Sequence, residues 1–266
     1  MKTKTITRQK SIDEVFLESA KAGDVNLMTY SLSVGADVHA KKDSALIYSA
    51  ENGRAEVVRL LLDSGADIHA RYDYALRCSA ENGHTEVVAL LLDRGADIHA
   101  RYDDALCCAS KNGRAEVVRL LLDRGADPIA ENYHTLCCSA GNGHIEVVRL
   151  LLDRGVDIHA ENDAALRWAA GNQHVEVLRF LLDRGADLHV DNNSALRISV
   201  HNDRRGVALL LLEYGADLEI GIKEAEASGK GEMAGLLSGI RLSREEKGIL
   251  SSEVPVPGPA DSRIRM

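Results

Sequence analysis

The chain has 266 residues, a formal net charge of −9 and an apolar fraction of 45%. That acidic balance argues against a general nucleic-acid binder, whose footprint is a cationic excess. No run of 18 apolar residues occurs, so no membrane span is expected. The five cysteines, in a chain whose start has no apolar leader, read as reduced thiols of an intracellular, cytoplasmic protein.

In chain order, residues 1–10 (MKTKTITRQK) are basic and aperiodic and are expected to be disordered. Residues 11–35 keep a helix-turn-helix outline with extra polar positions, as a terminal capping unit should. From Ala36 to Gly215 the chain then restates one thirty-residue phrase six times, each copy closed by a glycine: Gly65, Gly95, Gly125, Gly155, Gly185 and Gly215. Self-similarity at this period specifies a solenoid, in which each unit buries its apolar face on its neighbours. Residues 216–238 form a shortened last unit with a solvated face around Lys223, Glu224 and Glu226. Residues 239–266, with Pro255, Pro257 and Pro259 and little apolar content, are expected to be a disordered tail.

Residues 66–95 show how one phrase should fold. Asp73 precedes Tyr74-Ala75-Leu76, where a short carboxylate can cap the first free amides of a helix. Asn82-Gly83 ends that helix, since both residues tolerate the left-handed conformation. Thr85-Glu86 opens a second helix, with an acidic residue in its first turn. Val87, Val88, Leu90, Leu91 and Leu92 supply its buried content, and Gly95 ends it. Ala66 to Arg71 is left as an extended link.

The recurring phrases GADIHA, NGHTEVVALLL and NGHIEVVRLLL, with Ala-Leu at the head of each first helix, resemble ankyrin repeats over residues 11–238. The resemblance implies an all-α ankyrin-repeat solenoid. The usual unit has about 33 residues; the three missing here fall between the link and the first helix, where the family has Gly then Thr-Pro-Leu-His. A shortened finger is therefore expected, with Asp in place of Thr as the cap. The thirty-residue wording also resembles ankyrin arrays of giant DNA viruses.

Several clusters invite a chemical reading and yield to the repeat. Cys78, Cys108 and Cys138 share one repeat position with Tyr48, Trp168 and Ile198, which marks a packing site between repeats. Adjacent cysteines on a helix point apart, so Cys107-Cys108 and Cys137-Cys138 do not form a zinc site. The histidines at 39, 69, 99, 159 and 189, interrupted by Ile129, are assigned to bonding the local backbone rather than to a pH-sensitive edge. His84-x-Glu86 and its copies lack the downstream P-C-x-x-C of a zinc deaminase. Gly229-Lys230 lacks the spaced glycine of a phosphate loop. No catalytic group and no cofactor or metal site emerges, and no enzyme is expected.

What the phrase does not repeat is where specificity can be written. The link runs basic and Tyr-rich in the first half of the array and acidic or amide-rich in the second. The candidate partner-binding residues are Arg71, Tyr72, Tyr74, Arg77, Arg101, Tyr102, Asp104, Tyr133 and His134, because Tyr and Arg are frequent hot spots. By resemblance, shortened fingers and first helices line a concave binding face. The expected function is a monomeric, non-enzymatic scaffold or adaptor that binds a protein, with no nucleic acid and no membrane as partner. The alternative is a substrate-recruiting subunit of a ubiquitin-type degradation machinery, as in a viral or intracellular-parasite effector acting in the host cytoplasm. The short tail, without the apolar periodicity of a recruiting domain, counts against that alternative.

Overall fold

A computed structural model describes residues 11–129, 134–246 and 248. The chain divides into two compact units that meet in sequence at Ala130 and Glu131, and among the described residues every regular element is an α-helix. In the first unit, α1 (Ile12–Ala22) and α2 (Val25–Ser33) form the terminal pair. They are followed by α3 (Ala40–Glu51) with α4 (Ala55–Asp63), α5 (Ala70–Asn82) with α6 (Thr85–Asp93), and α7 (Ala100–Lys111) with α8 (Ala115–Asp123). The second unit holds α9 (His134–Gly141) with α10 (Ile145–Asp153), α11 (Ala160–Gly171) with α12 (Val175–Asp183), α13 (Val190–His201) with α14 (Arg205–Glu213), and α15 (Leu218–Ala227) with α16 (Gly231–Glu246). Within each unit, first helices stack on first helices and second helices on second helices. No helix is long and apolar enough to cross a membrane among the described residues.

The glycine that closes each phrase has a single mechanical task. Gly95 adopts φ 95°, which lets its amide donate to Leu92 O at 3.1 Å and the next amide, of Ala96, donate to Leu91 O at 3.0 Å. These are the two bonds of a Schellman cap, and a side chain at that φ would be strained. The core beneath is one leucine and valine ladder. Leu46, Leu76 and Leu106 of the first helices and Leu61, Leu91 and Leu121 of the second are buried to 0–1% exposure. Each such side chain contributes about 1.5–3 kcal/mol by leaving water.

Polar groups then tie each repeat to its neighbour. In the first unit, the residue before α4, α6 and α8 reaches back across the stack: Arg54 Nε donates to Lys21 O at 3.3 Å, His84 Nε2 lies 2.9 Å from Glu51 O, and Arg114 Nε donates to Glu81 O at 3.0 Å. Those carbonyls close the preceding first helix, whose end carries partial negative charge. His84 is therefore a helix cap in trans, and Glu86 points outward and exposed. Surface ion pairs run beside this row, Arg94 to Asp63 at 2.7 Å and Arg124 to Asp93 at 2.8 Å, each worth under about 1 kcal/mol.

The link is not extended. At Arg71, Tyr72 and Asp73 the backbone makes one left-handed turn, with φ 55°, 61° and 54°, before the right-handed helix begins. The same turn recurs at 41–43, 101–103, 161–163 and 191–193. Three residues with Cβ atoms in this region cost about 3–6 kcal/mol together. The offset comes from Asp73, which does not cap its own helix as the sequence suggests. Its carboxylate accepts from the amide of Asp97, in the next link, at 2.8 Å and lies 3.1 Å from His69 Nδ1. Two hydrogen bonds to a charged acceptor contribute about 1.5–3 kcal/mol each.

Asp43, Asp103 and Asp163 repeat both contacts. These four carboxylates are between 2% and 6% exposed. His39, His69, His99 and His159 accordingly bond a side-chain carboxylate four residues on rather than the local backbone that the sequence suggests, and the residue four on from His189 is Asn193. The one unit whose histidine position is Ile129 also has Tyr133 at the aspartate position.

At the C-terminal end, α16 continues to Glu246, past the boundary drawn at 238 and 239. Arg241 pairs with Glu219 at 3.6 Å and Arg244 donates to Leu212 O at 3.5 Å, which hold the added turns against the last repeat. Residues 1–10, 247 and 249–266, for which disorder is expected, lie outside the described residues.

Removing one carboxylate tests the link. Asp73→Ala leaves the Asp97 amide and His69 without their acceptor and should cost about 3–6 kcal/mol in denaturant unfolding, the sum of the two bonds. Asp73→Asn, which copies Asn193, should lose less than half of that; equal losses would show that the bond to the Asp97 amide carries no stability.

Candidate functional site

The left-handed turn decides which link residues meet solvent. Its third residue is turned inward, so the first two form the tip. In the first unit the tips carry Lys41 and Lys42, Arg71 and Tyr72, and Arg101 and Tyr102, all exposed. Tyr72 and Tyr102 are 74% and 76% exposed. In the second unit the tips carry Glu161 with Asn162 and Asp191 with Asn192.

Tyr74, Arg77 and Asp104 sit one step deeper, between α5 and α7, and form a network. The Arg77 guanidinium lies 4.3 Å over the Tyr74 ring and 3.3 Å from Asp104 Oδ2, and Arg101 Nε is 3.6 Å from the same oxygen. Cys108 Sγ donates to Asp104 Oδ1 at 3.5 Å. Burial works against the Arg77 charge, but Asp104 together with Tyr74 and Cys108 holds the Arg77 pKa above the ordinary arginine value. A small hollow lies here, lined by Tyr72, Leu76, Arg77, Arg101, Asp104 and Ala105 among others. Seven of the nine sequence candidates thus fall into two groups, four on exposed tips and three in the supporting network. Tyr133 and the side chain of His134 lie outside the described residues.

Burial disfavours the thiolate at three of the cysteines. Burial pushes Cys78 and Cys137 up to about 11 and Cys108, with Asp104 beside it, to about 12. A thiol in that range is almost wholly protonated near neutral pH, and the thiolate is the reactive form.

Trp168 escaped the sequence reading, which placed it with the packing cysteines. It is 52% exposed, and it lies against Gly141: a Cβ added at Gly141 would meet Trp168 Cε3 at 3.1 Å. Gly171 stands in the same relation to Ile198, at 3.1 Å from Cγ2. Where the later residue is a cysteine, as at Cys78 and Cys108, the earlier position holds Glu51 and Glu81. A glycine thus stands before Trp168 and Ile198 and a long side chain before these cysteines, whereas Lys21 lies 4.1 Å over the Tyr48 ring at the same separation. That pairing was present in the sequence, at a separation of 27 residues.

The pairing predicts a coupled pair of substitutions. Gly141→Glu should destabilise by about 1–3 kcal/mol through overpacking against Trp168. Adding Trp168→Cys should recover most of that loss in thermal unfolding; additive losses would dismiss the packing account.

A family model described as ankyrin repeats (3 copies) matches residues 16–102, 72–132, 99–162 and 136–221. No curated protein matches the chain. Ankyrin repeats are generic protein–protein interaction modules, typically non-enzymatic. With stacked helix pairs, Schellman caps at a thirty-residue interval and these matched segments together, the chain belongs to the ankyrin-repeat family.

Proposed function

We propose that this chain is a non-enzymatic, monomeric adaptor that holds a protein partner on the link tips of its first unit and the adjoining face of its first helices. The observation that carries this reading is the exposure of Tyr72 and Tyr102, at 74% and 76%, on consecutive left-handed turns with an arginine beside each. A large aromatic side chain left in water gains most when a partner covers it, and Tyr and Arg dominate protein-binding hot spots. The turns are fixed by buried carboxylates, so the tips are ordered before binding and little conformational entropy is lost on contact. The network of Tyr74, Arg77 and Asp104 supports the tips from below.

Selection of a random peptide display library on the full chain tests the reading. Selected binders should lose at least about tenfold in affinity for the Tyr72→Ala, Tyr102→Ala double variant, with an unchanged thermal midpoint. Undiminished affinity would remove the strip from the binding site.

A further inference from the structure

We infer that the segment read by the first unit is an acidic peptide in the polyproline II conformation, with a carboxylate at every third residue, so that one acid faces each successive tip. The inference rests on the protein-binding reading above and names the chemistry of its partner.

Charge comes first. On a chain of net charge −9, three consecutive tips present Lys41 with Lys42, Arg71 and Arg101 to solvent. The acids of the same turns, Asp43, Asp73 and Asp103, are turned inward onto the next link and a histidine. The fold does not call for these cations. The second unit builds the same left-handed turn with Glu161-Asn162 and Asp191-Asn192. Asn and Asp are the residues that tolerate this backbone best, and Lys, Arg and Tyr tolerate it less well. The first unit therefore places costlier residues at the strained positions, the pattern expected where strain serves a site.

Arg71 is also held in place. Its Nη2 donates to Lys41 O at 2.9 Å and to Ser44 Oγ at 3.2 Å. A guanidinium carries five donors, so this anchoring leaves others for a carboxylate. Asp104 steadies Arg101 from one side, and the Arg101 side chain remains 58% exposed.

Spacing selects the partner's conformation. Packed helices, and with them successive tips, are about 8–10 Å apart. A polyproline II chain advances about 3.1 Å per residue with three residues per turn. Every third side chain therefore lies on one face, about 9 Å from the last. A β-strand of similar rise alternates faces at each residue, so its every-third side chains point in opposite directions. Tyr72 and Tyr102 beside the arginines offer flat apolar surface for the residues between the acids, the surface that proline-rich segments favour.

The test uses the full chain and labelled nine-residue peptides read by fluorescence anisotropy at low and high salt. One peptide has glutamate at positions 1, 4 and 7 among prolines. A second has the same composition with glutamate at 1, 3 and 5, a third has lysine at 1, 4 and 7, and a short single-stranded oligonucleotide is the fourth probe. The first peptide should bind at least about fivefold tighter than its isomer and weaken with salt. It should lose at least about tenfold on the variant Arg71→Glu, Tyr72→Asn, Arg101→Glu, Tyr102→Asn. That variant copies the second unit's tips and should melt no lower than the parent; Arg71→Gln with Arg101→Gln is the milder check if it fails to fold.

Equal binding of the two acidic isomers would overturn the register. Preference for the lysine peptide or the oligonucleotide would overturn the acidic assignment. Absence of binding by either acidic peptide would overturn the proposal. In each case, tyrosine-dependent binders from the display library would leave the broader protein-binding reading standing.

Discussion

A carboxylate with almost no exposure, held between an imidazole and the backbone amide of the following link, fixes the left-handed turn that leads into the first helix of four repeats. Without it, three left-handed residues in succession would cost more than the link gains by forming them. With it, the turn stands at 41–43, 71–73, 101–103 and 161–163, and at 191–193 the side-chain amide of Asn193 takes the carboxylate's place in accepting from the Asp217 amide. The helices owe their positions to leucine ladders, but the direction in which each tip projects is set by this acid. The unit that has Ile129 for the histidine also has Tyr133 for the acid, as expected of two residues that work as a pair.

The same device separates support from recognition within three residues. The third position of the turn must be an acid or amide that points inward. The first two point outward and are free to vary, and they do: Lys-Lys, Arg-Tyr, Arg-Tyr, then Glu-Asn and Asp-Asn. A surface built this way changes its chemistry without disturbing its frame, which suits an interaction module. In the binding site proposed above, rigidity under the tips makes affinity rest on the side chains displayed rather than on ordering of the loop.

Much of this was legible in the sequence. The glycine interval, the Asn-Gly stops and the Val-Val-x-Leu-Leu-Leu runs specify the helix pairs directly, because capping and helical periodicity are local properties. The link was not legible. Asp73 standing before Tyr74-Ala75-Leu76 looks like an N-cap, and only the stacked neighbour reveals that its carboxylate belongs to Asp97, 24 residues on. His84 and Arg114 likewise find their partners 33 residues back, a separation that no local rule covers. Trp168 was read with the cysteines because they share a position, yet the glycine at 141 that accommodates it lies in the preceding repeat. For the tips, residue type and exposure agree: the sequence picked out Arg71, Tyr72, Arg101 and Tyr102 as variable, and all four stand in solvent.

The bond from each inward acid to the next link's amide runs one way along the chain. Asp13 starts the series with the Asp37 amide, and Asn193 ends it with the Asp217 amide. Asp217 then caps α15 through the amides of Glu219 and Ile220, and no further left-handed turn follows in that repeat. The repeats that hold Asp43, Asp73, Asp103 and Asn193 each borrow one such bond and lend another, while the repeat with Tyr133 borrows from Asp103 and has no acid to lend. An insertion or deletion of thirty residues, wherever the cut falls, returns every lender to a borrower. A change of any other length strands at least one acid from its amide, so the array can lengthen or shorten only in whole steps.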